Sequence, residues 1–264
     1  MNKLSELLIP IMKSAGEILL SAHNEDIVGG VTEKCGDANF VTAFDIKTQE
    51  YLISEIKKVI PDACFIAEEQ ENDSDMLERE HCFIIDPIDG TTNFIHGYKR
   101  SSISVAMVSC GVPCFGAVYD PYLGEVFYAE RGCGAYLDGK PIHVSNRDMK
   151  KAVIAYGTSP YYKQQLSEKT FGLCRELFEN VSDVRRTGSA AIDLANLAAG
   201  RTDGFFEFRL SPWDIAAGYV LIEEAGGIIS DMRGEPIDFS HPSSVIASNQ
   251  QNYESIISIA KKYA

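Results

Sequence analysis

A short apolar run followed by closely spaced carboxylates constrains this chain more than any other feature. The run CFII, residues 82–85, has the length and the β-branched character of a buried strand, and DPIDGTTNFIHG follows it over residues 86–97. Pro87 donates no backbone hydrogen bond and pushes the residue before it towards extended geometry. The pattern therefore predicts a strand that stops at Asp86.

Turn and helix-starting residues come next. Asp89 with Gly90 is typical of a turn, and Thr91 with Thr92 predicts capping residues of a helix. Free N–H groups at a helix N-terminus bind phosphate, whereas two adjacent carboxylates repel it unless a cation lies between them. Mg²⁺ suits such a place because it takes carboxylate oxygens and leaves positions for water and phosphate. Asp86 and Asp89 could also merely complete a turn and a cap, and a lone DxxD spacing favours that interpretation.

Two further segments carry acidic residues where elements begin or end. FIAEEQ, residues 65–70, places Glu68 beside Glu69 on an extended segment, so the two carboxylates should point in opposite directions. PWDIAAGYVLIEEAGG, residues 212–227, opens an apolar helix, and Asp214 lies where an N-cap is expected.

Together, the three segments resemble the signatures of the inositol monophosphatase family of Mg²⁺-dependent, lithium-sensitive phosphatases. They occur in the order and at the approximate spacing typical of that family, and the similarity extends over nearly the whole chain. The resemblance implies a phosphomonoesterase, active through metal-activated water and without a covalent intermediate. It also implies a homodimer, as is common in the family.

The resemblance assigns the site residue by residue. It implies about two to three Mg²⁺ ions, and as their ligands the carboxylates of Glu68, Asp86, Asp89 and Asp214 with the carbonyl of Ile88. Thr91, supported by Asp45 and Glu68, would orient and deprotonate the attacking water. Phosphate and substrate would contact Gly90, Thr91, Thr92, Thr158, Gly188, Ser189, Ala190, Glu207 and Asp214.

Asp45 has two interpretations. It lies at the start of a helix predicted over residues 45–60, which indicates an N-cap. In the family, an aspartate in this context points back at the metal site, and the resemblance favours that role. Lys34 matches a lysine of the family upstream of this aspartate, in a loop that approaches the substrate phosphate.

The sequence pattern changes along the chain. Apolar and small residues alternate between short turns over residues 101–142, which predicts antiparallel strands. After residue 151, predicted strands alternate with predicted helices. We expect one α/β phosphatase unit, 1–264, with an α+β half over 1–148 that holds an antiparallel sheet and the metal motifs. An α/β half with a mostly parallel sheet is expected over 149–264. The resemblance implies the layered αβαβα sandwich of inositol monophosphatase and fructose-1,6-bisphosphatase.

Substrate choice stays open at this point. Ser211 stands where animal members of the family carry a histidine, and Arg209 is a candidate contact for a second phosphate. Inositol 1-phosphate or a related polyol or sugar phosphate is the leading substrate, and a fructose-1,6-bisphosphatase or an NADP 2′-phosphatase is the alternative. A regulatory partner-binding protein on the same fold is a rival of another class, which the complete ligand set disfavours.

Composition restricts partners and location. The 264 residues carry a net charge of −14, with 38 acidic against 24 basic residues, and no basic patch for nucleic acid stands out. No apolar run reaches the ~20 residues of a membrane span, and the N-terminus lacks the apolar core of a signal peptide. The seven cysteines are odd in number and include no CxxC pair, which is typical of reduced thiols. We expect a cytoplasmic protein.

Overall fold

The computed structural model describes residues 3–22, 31–33 and 40–264. Its helices are α1 Lys3–Ser21, α2 Ala43–Val59, α3 Thr91–Ile95, α4 Lys163–Phe178, α5 Ala190–Ala198, α6 Pro212–Glu224 and α7 Tyr253–Ala260. None of these helices in the described ranges combines the length and the apolar character that crossing a bilayer requires.

The strands form three sheets. They are β1 Val31–Glu33, β2 Phe40–Thr42, β3 Cys64–Ala67, β4 Cys82–Asp89, β5 Ser102–Ser109, β6 Val112–Asp120, β7 Glu125–Glu130, β8 Ala135–Leu137, β9 Lys140–Ile142, β10 Val153–Tyr156, β11 Asp183–Arg185, β12 Gly204–Leu210, β13 Ile228–Ser230 and β14 Ser243–Ser248. Strands β1 and β2 form a small antiparallel pair. The seven-stranded sheet runs in sequence order from β3 to β9, and it is antiparallel except between β3 and β4.

The second large sheet differs from its prediction. Its order is β11-β10-β12-β14-β13, and only the pairings of β10 with β11 and β12 are parallel. Strand β14 runs antiparallel to both of its neighbours. A mostly parallel sheet was therefore wrong, and the sheet is mixed. The reason is the connection 231–242, which contains no helix, whereas a parallel return needs a long crossover, usually a helix.

The elements stack in five layers. Helices α1 and α2 pack on the outer face of the seven-stranded sheet, α5 and α6 lie between the two large sheets, and α4 and α7 cover the outer face of the five-stranded sheet. The fit between layers is close at Gly116 of β6, where an added Cβ would clash with the carbonyl oxygen of Ala217 in α6. The predicted αβαβα sandwich is confirmed, and the division into halves at residue 148 stays a prediction.

Three hydrophobic clusters fill the spaces between these layers. The six cysteines of the described residues are all free thiols. Cys82 and Cys174 are buried within two of the clusters, where a thiol behaves as a small apolar side chain.

Candidate active site

A β-bulge in β4 brings the first two aspartates together. Strand β4 does not stop at Asp86, as predicted, but continues to Asp89. Asp86 pairs with Ser104 and Asp89 pairs with Ser102, so three steps along β4 correspond to two along β5. Residues three apart on a regular strand point to opposite faces, and the extra residue cancels that alternation. Pro87 lies within this irregularity, where the ladder needs no N–H.

The turn after β4 differs from its prediction in one respect. Helix α3 does begin at Thr91, but its N-cap is Gly90, with a φ of +89°, and neither Thr91 nor Thr92 is the cap. The hydroxyl of Thr91 lies 3.3 Å from Oδ1 of Asp45 and 3.2 Å from the carbonyl oxygen of Ile88. Its single hydrogen therefore has two buried acceptors.

The local sequence indicated that Asp45 and Asp214 are N-caps. Each is instead the third residue of its helix. The N-caps are Thr42 and Ser211. The N–H of Thr42 donates to Oδ2 of Asp45 at 2.8 Å, and that of Ser211 donates to Oδ2 of Asp214 at 2.6 Å. Each aspartate therefore reaches back to its cap with one oxygen, as in a capping box. This arrangement lets Oδ1 of Asp45 face Thr91, while Asp214 lines the candidate site.

The acidic cluster consists of Asp86, Asp89 and Asp214, whose carboxylate oxygens lie within 4.8 Å of one another. Burial, followed by the charges of Glu68, Asp89 and Asp214, raises the pKa of Asp86 well above its usual range. Burial and the charges of Asp89 and Glu68 raise the pKa of Asp214 in the same way. Ionised carboxylates this close are stable only with a cation between them. Buried carboxylate oxygens are the hard ligands that Mg²⁺ takes, so the residues present fit this metal.

Asp89 connects the metal motif to the second half of the chain. It accepts hydrogen bonds from the hydroxyl of Ser189, from the N–H groups of Ala191 at 2.8 Å and Ala190 at 3.3 Å, and from the hydroxyl of Ser102 at 3.4 Å. Ser189, Ala190 and Ala191 stand at the N-terminus of α5, whose N-cap is Ser189, and Ser102 begins β5. Burial raises the pKa of Asp89, and the donated hydrogen bonds oppose that rise.

The cluster opens into a cavity of about 320 Å³. Most of the predicted site residues line it: Glu68, Asp86, Ile88, Asp89, Gly90, Thr91, Thr92, Thr158, Gly188, Ser189, Ala190, Glu207 and Asp214. Glu68 lies outside the 4.8 Å cluster, and Asp45 contacts the cavity wall through Thr91. Lys34 lies outside the described residues.

Glu207 holds one wall of this cavity in place. Its Oε1 accepts hydrogen bonds from the N–H of Ser159 at 2.7 Å and from the hydroxyl of Ser159 at 3.2 Å. A Cβ at Gly157 would clash with the carboxylate of Glu207, so a larger residue there would displace this carboxylate from its hydrogen bonds with Ser159. Burial raises the pKa of Glu207 to about 7, against the hydrogen bonds from Ser159.

Sequence reasoning missed several residues of the site. Asn93 is buried, and its amide donates to the carbonyl oxygen of Thr187 at 3.0 Å, which joins α3 to the loop before α5. Asp193 lines the cavity at 2% exposure, and burial raises its pKa well above the usual range. An aspartate inside the apolar helix AAIDLANLA was a signal that could have identified it. No local pattern indicated Tyr161 or Arg186, which also line the cavity.

Comparison with known proteins agrees with this geometry. The model of the inositol monophosphatase family matches residues 1–264. The chain belongs to the inositol monophosphatase family. It is 37% identical over 249 residues to the Nus factor SuhB of Vibrio cholerae, with 93% of this chain and 90% of that protein covered. It is 36% identical over 251 residues to a fructose-1,6-bisphosphatase/inositol-1-monophosphatase of Aquifex aeolicus, covering 95% and 92%.

Among solved structures, an IMPase of Thermotoga maritima superimposes with a TM-score of 0.88 at 32% identity, and the match covers 100% of this chain and 98% of that one. Family membership confirms the predicted resemblance and the predicted class of enzyme, a phosphatase. The roles of individual site residues stay predictions.

Proposed function

We propose that this protein is a Mg²⁺-dependent phosphomonoesterase that hydrolyses inositol 1-phosphate or a related polyol or sugar phosphate. The observation that carries the proposal is the cluster of Asp86, Asp89 and Asp214 beside a helix N-terminus in one cavity. The carboxylates supply a cation site, and the N–H groups that begin α3 supply a phosphate site. A phosphate ester needs both in the same place.

Glu68, Asp86, Asp89 and Asp214, with the carbonyl of Ile88, would hold the metal, at about two to three ions per site. Bound Mg²⁺ would polarise the phosphoryl oxygens and lower the pKa of a water molecule. The carbonyl of Ile88 already faces the hydroxyl of Thr91 at 3.2 Å, so metal ligand and water-orienting group are neighbours.

The phosphate binds at the start of α3. The first N–H groups of a helix have no acceptor within the helix, and they point out of its N-terminus. Gly90 leaves the approach unhindered, and its positive φ turns the chain so that Thr91 and Thr92 begin the helix at the cavity wall. The phosphate would accept hydrogen bonds from these N–H groups and from the hydroxyl of Thr92.

The attacking water is oriented by Thr91. Its hydroxyl donates to Asp45 at 3.3 Å, which leaves the lone pairs of Oγ1 to accept a hydrogen from water. The water oxygen forms the new bond to phosphorus and the bond from phosphorus to the alcohol oxygen breaks. The water gives up one proton, the alcohol oxygen takes up one, and the other hydrogen of the water stays on the phosphate product. No side chain of the protein becomes phosphorylated in this sequence.

The alcohol lies against the wall formed by residues of the second half. Glu207 accepts hydrogen bonds from its hydroxyl groups, and Thr158 and Gly188 line the same wall. The hydroxyl of Ser189 and the N–H of Ala190 already bond to Asp89, so these residues shape the wall and position Asp89.

Phosphate release from inositol 1-phosphate tests the proposal. We expect turnover that requires Mg²⁺, is inhibited by lithium, and is lost in Asp89→Asn. Glu254→Gln is the matched control, because Glu254 is exposed on α7 away from the cavity. Circular dichroism would show that each variant is folded. No phosphate release by the wild type from a panel of inositol, sugar and nucleotide phosphates would refute the proposal.

Two alternatives have support from relatives. The Aquifex protein is named for both fructose 1,6-bisphosphate and inositol 1-phosphate, so turnover of fructose 1,6-bisphosphate and of NADP should be compared with that of inositol 1-phosphate. The Vibrio protein is named as a Nus factor, which favours a partner-binding role as a second candidate. Stoichiometric binding to purified transcription elongation components, kept in Asp89→Asn, would support that role.

The homodimer and the cytoplasmic location stay predictions. Size-exclusion chromatography with light scattering checks the first, and fractionation of cells that express the protein checks the second.

A further inference from the structure

A tyrosine at the mouth of the cavity has no role in the function proposed above. Tyr161 lines the cavity and is 49% exposed. Burial, and then the charges of the four predicted metal-binding carboxylates, raises the pKa of Tyr161 well above its usual range. Those carboxylates belong to Glu68, Asp214, Asp86 and Asp89. The ring is therefore open to solvent on one side, while the hydroxyl lies on the side of the acidic cluster.

The topology places Tyr161 at one edge of the five-stranded sheet, in the short turn 160–162 that follows β10. Strands β11, β10 and β12 are adjacent and parallel, so their carboxyl ends meet at the same edge and form a crevice. Glu207 and Arg209 lie near the end of β12, and Arg186 follows β11. Ligands of open α/β sheets bind in such a crevice. The turn is therefore where a ligand contact is expected.

Ser159 fixes the start of this turn. Its φ is +41°, in the left-handed region that a residue other than glycine adopts only when its surroundings hold it there. Those surroundings are the hydrogen bonds of Ser159 with Glu207, together with contacts to Arg209. The backbone N–H of Arg209 donates to the Ser159 hydroxyl at 3.2 Å, and that hydroxyl lies 3.1 Å from the carbonyl oxygen of Arg209. Strained backbone of this kind is concentrated at active sites.

The residues on both sides of Tyr161 are also held. Pro160 has a φ fixed by its ring. The N–H of Tyr162 donates to the carbonyl oxygen of Ser159 at 2.8 Å. The guanidinium group of Arg209 lies over the ring of Tyr162, with 4.6 Å between Cζ and the ring centroid. Tyr161 is thus presented to the cavity by a backbone held at both ends, which reduces the entropy lost when its side chain binds a ligand.

We propose that the hydroxyl of Tyr161 donates a hydrogen bond to an oxygen of the phosphoryl group that is cleaved, which makes Tyr161 a further catalytic residue. The inference rests on the proposed function. A phenol is protonated near neutral pH and can donate, and the phosphoryl oxygens are the anionic acceptors that belong beside a cation held by these carboxylates. The N–H groups of α3 would hold the phosphate from the first half of the chain, and Tyr161 from the second.

Two other roles for Tyr161 make different predictions. If the ring merely covers the cavity, removal of the hydroxyl should change neither binding nor turnover. If the hydroxyl contacts the metal, its removal should weaken Mg²⁺ binding in the absence of phosphate. A contact with the phosphoryl group should instead affect phosphate binding and turnover, and leave the binding of Mg²⁺ alone unchanged.

The test compares full-length wild type with Tyr161→Phe, which removes only the hydroxyl. Tyr98→Phe is the control, because the same atom is removed from an exposed tyrosine outside the cavity lining. The kcat and KM are measured at saturating Mg²⁺ for the phosphate ester that the wild type cleaves fastest. Calorimetric titration gives the Kd of Mg²⁺ alone, and then the Kd of inorganic phosphate at saturating Mg²⁺. Circular dichroism would show that each variant is folded.

We expect Tyr161→Phe to lose about tenfold to a hundredfold in kcat/KM and to bind inorganic phosphate about tenfold more weakly, as hydrogen bonds to charged groups predict. The Kd of Mg²⁺ alone should stay unchanged, and Tyr98→Phe should match the wild type. An active wild type whose kinetics and phosphate affinity are unchanged in Tyr161→Phe would overturn the inference and leave the phosphatase in place. Weaker binding of Mg²⁺ alone would overturn it in favour of a metal contact. A wild type that cleaves no phosphate ester would refute the proposed function and this inference together.

Discussion

The acidic cluster should make the metal-free protein less stable than a variant with one charge fewer. We choose Asp86→Asn, because burial and four neighbouring acids, Glu68, Asp89, Asp214 and Asp45, all raise the pKa of Asp86. The ligand oxygens of the cluster lie within 4.8 Å of one another, and two unit charges at that upper limit repel each other by about 3.5 kcal/mol at an effective dielectric constant of 20. Partial protonation relieves part of this repulsion. We therefore expect the free energy of unfolding of metal-free Asp86→Asn to exceed that of the wild type by about 1–3 kcal/mol, with a rise in Tm of roughly 2–4 °C per kcal/mol.

Asp89→Asn is the matched comparison, since it removes the same charge from the same cluster. Four donors point at the carboxylate of Asp89, from Ser189, Ala190, Ala191 and Ser102. An amide group would place its own N–H₂ against one or more of these donors and leave them unsatisfied, which costs about 1–3 kcal/mol. We therefore expect Asp89→Asn to gain nothing or to lose stability, although its charge change is identical.

The pH dependence of the Asp86→Asn effect follows from the raised pKa. The folded metal-free protein holds the proton of Asp86 more tightly than the unfolded chain does. The stability that the wild type gains from protonated Asp86 is therefore fully present below the pKa of about 4 of the unfolded chain. It is lost as the pH rises towards the raised pKa of Asp86 in the folded protein. The Tm difference between Asp86→Asn and wild type should grow from pH 5 to pH 8.

The assay is thermal unfolding in EDTA, followed by Mg²⁺ titration at each pH. The rise in Tm that Mg²⁺ causes in the wild type should increase with pH, because protons and Mg²⁺ compete for the same oxygens. The rise should be smaller in Asp86→Asn. If Asp86→Asn and Asp89→Asn lose stability equally in EDTA, the reasoning from charge repulsion is refuted.

Three further predictions concern the walls of the site. Glu207→Gln should become more stable relative to wild type as the pH rises from 4.5 to about 7, because burial raises the pKa of Glu207 to about 7 and ionisation of its carboxyl group destabilises the fold. Tm measured against pH checks this, and a Tm difference between variant and wild type that does not change with pH contradicts it. Gly90→Ala should lower the free energy of unfolding, measured with urea, by about 1–3 kcal/mol, because φ at this position is +89° and the new Cβ would lie 3.0 Å from the carbonyl oxygen of Arg100. An unchanged free energy of unfolding would count against this backbone conformation. Ser189→Ala should lower the free energy of unfolding by about 1–3 kcal/mol, because it removes the N-cap of α5 and the hydrogen bond that the Ser189 hydroxyl donates to Asp89. Ser189→Thr keeps a hydroxyl and should recover part of that loss; no recovery would contradict the role of the hydroxyl as a donor.

Residue types and their local spacing were sufficient to predict much of this protein. The predicted strand 82–85 and the start of a helix at Thr91 are both found. Periodicity and capping residues act within one or two turns of chain, so they can be read locally. The resemblance of three short segments predicted the family, which comparison confirmed.

The tertiary structure decided which atoms meet. Asp86 and Asp89 share a side because the pairing of β4 with β5 contains an extra residue, and Asp89 meets Ser189 because the N-terminus of α5 abuts the end of β4. Arg186 and Arg209 share a crevice because β11, β10 and β12 are adjacent and parallel. Strand register and the packing of layers depend on contacts between segments far apart in the chain, and no local pattern encodes them. The amino-acid sequence by itself determined the chemistry of the site, and only the packing of distant segments determined its geometry.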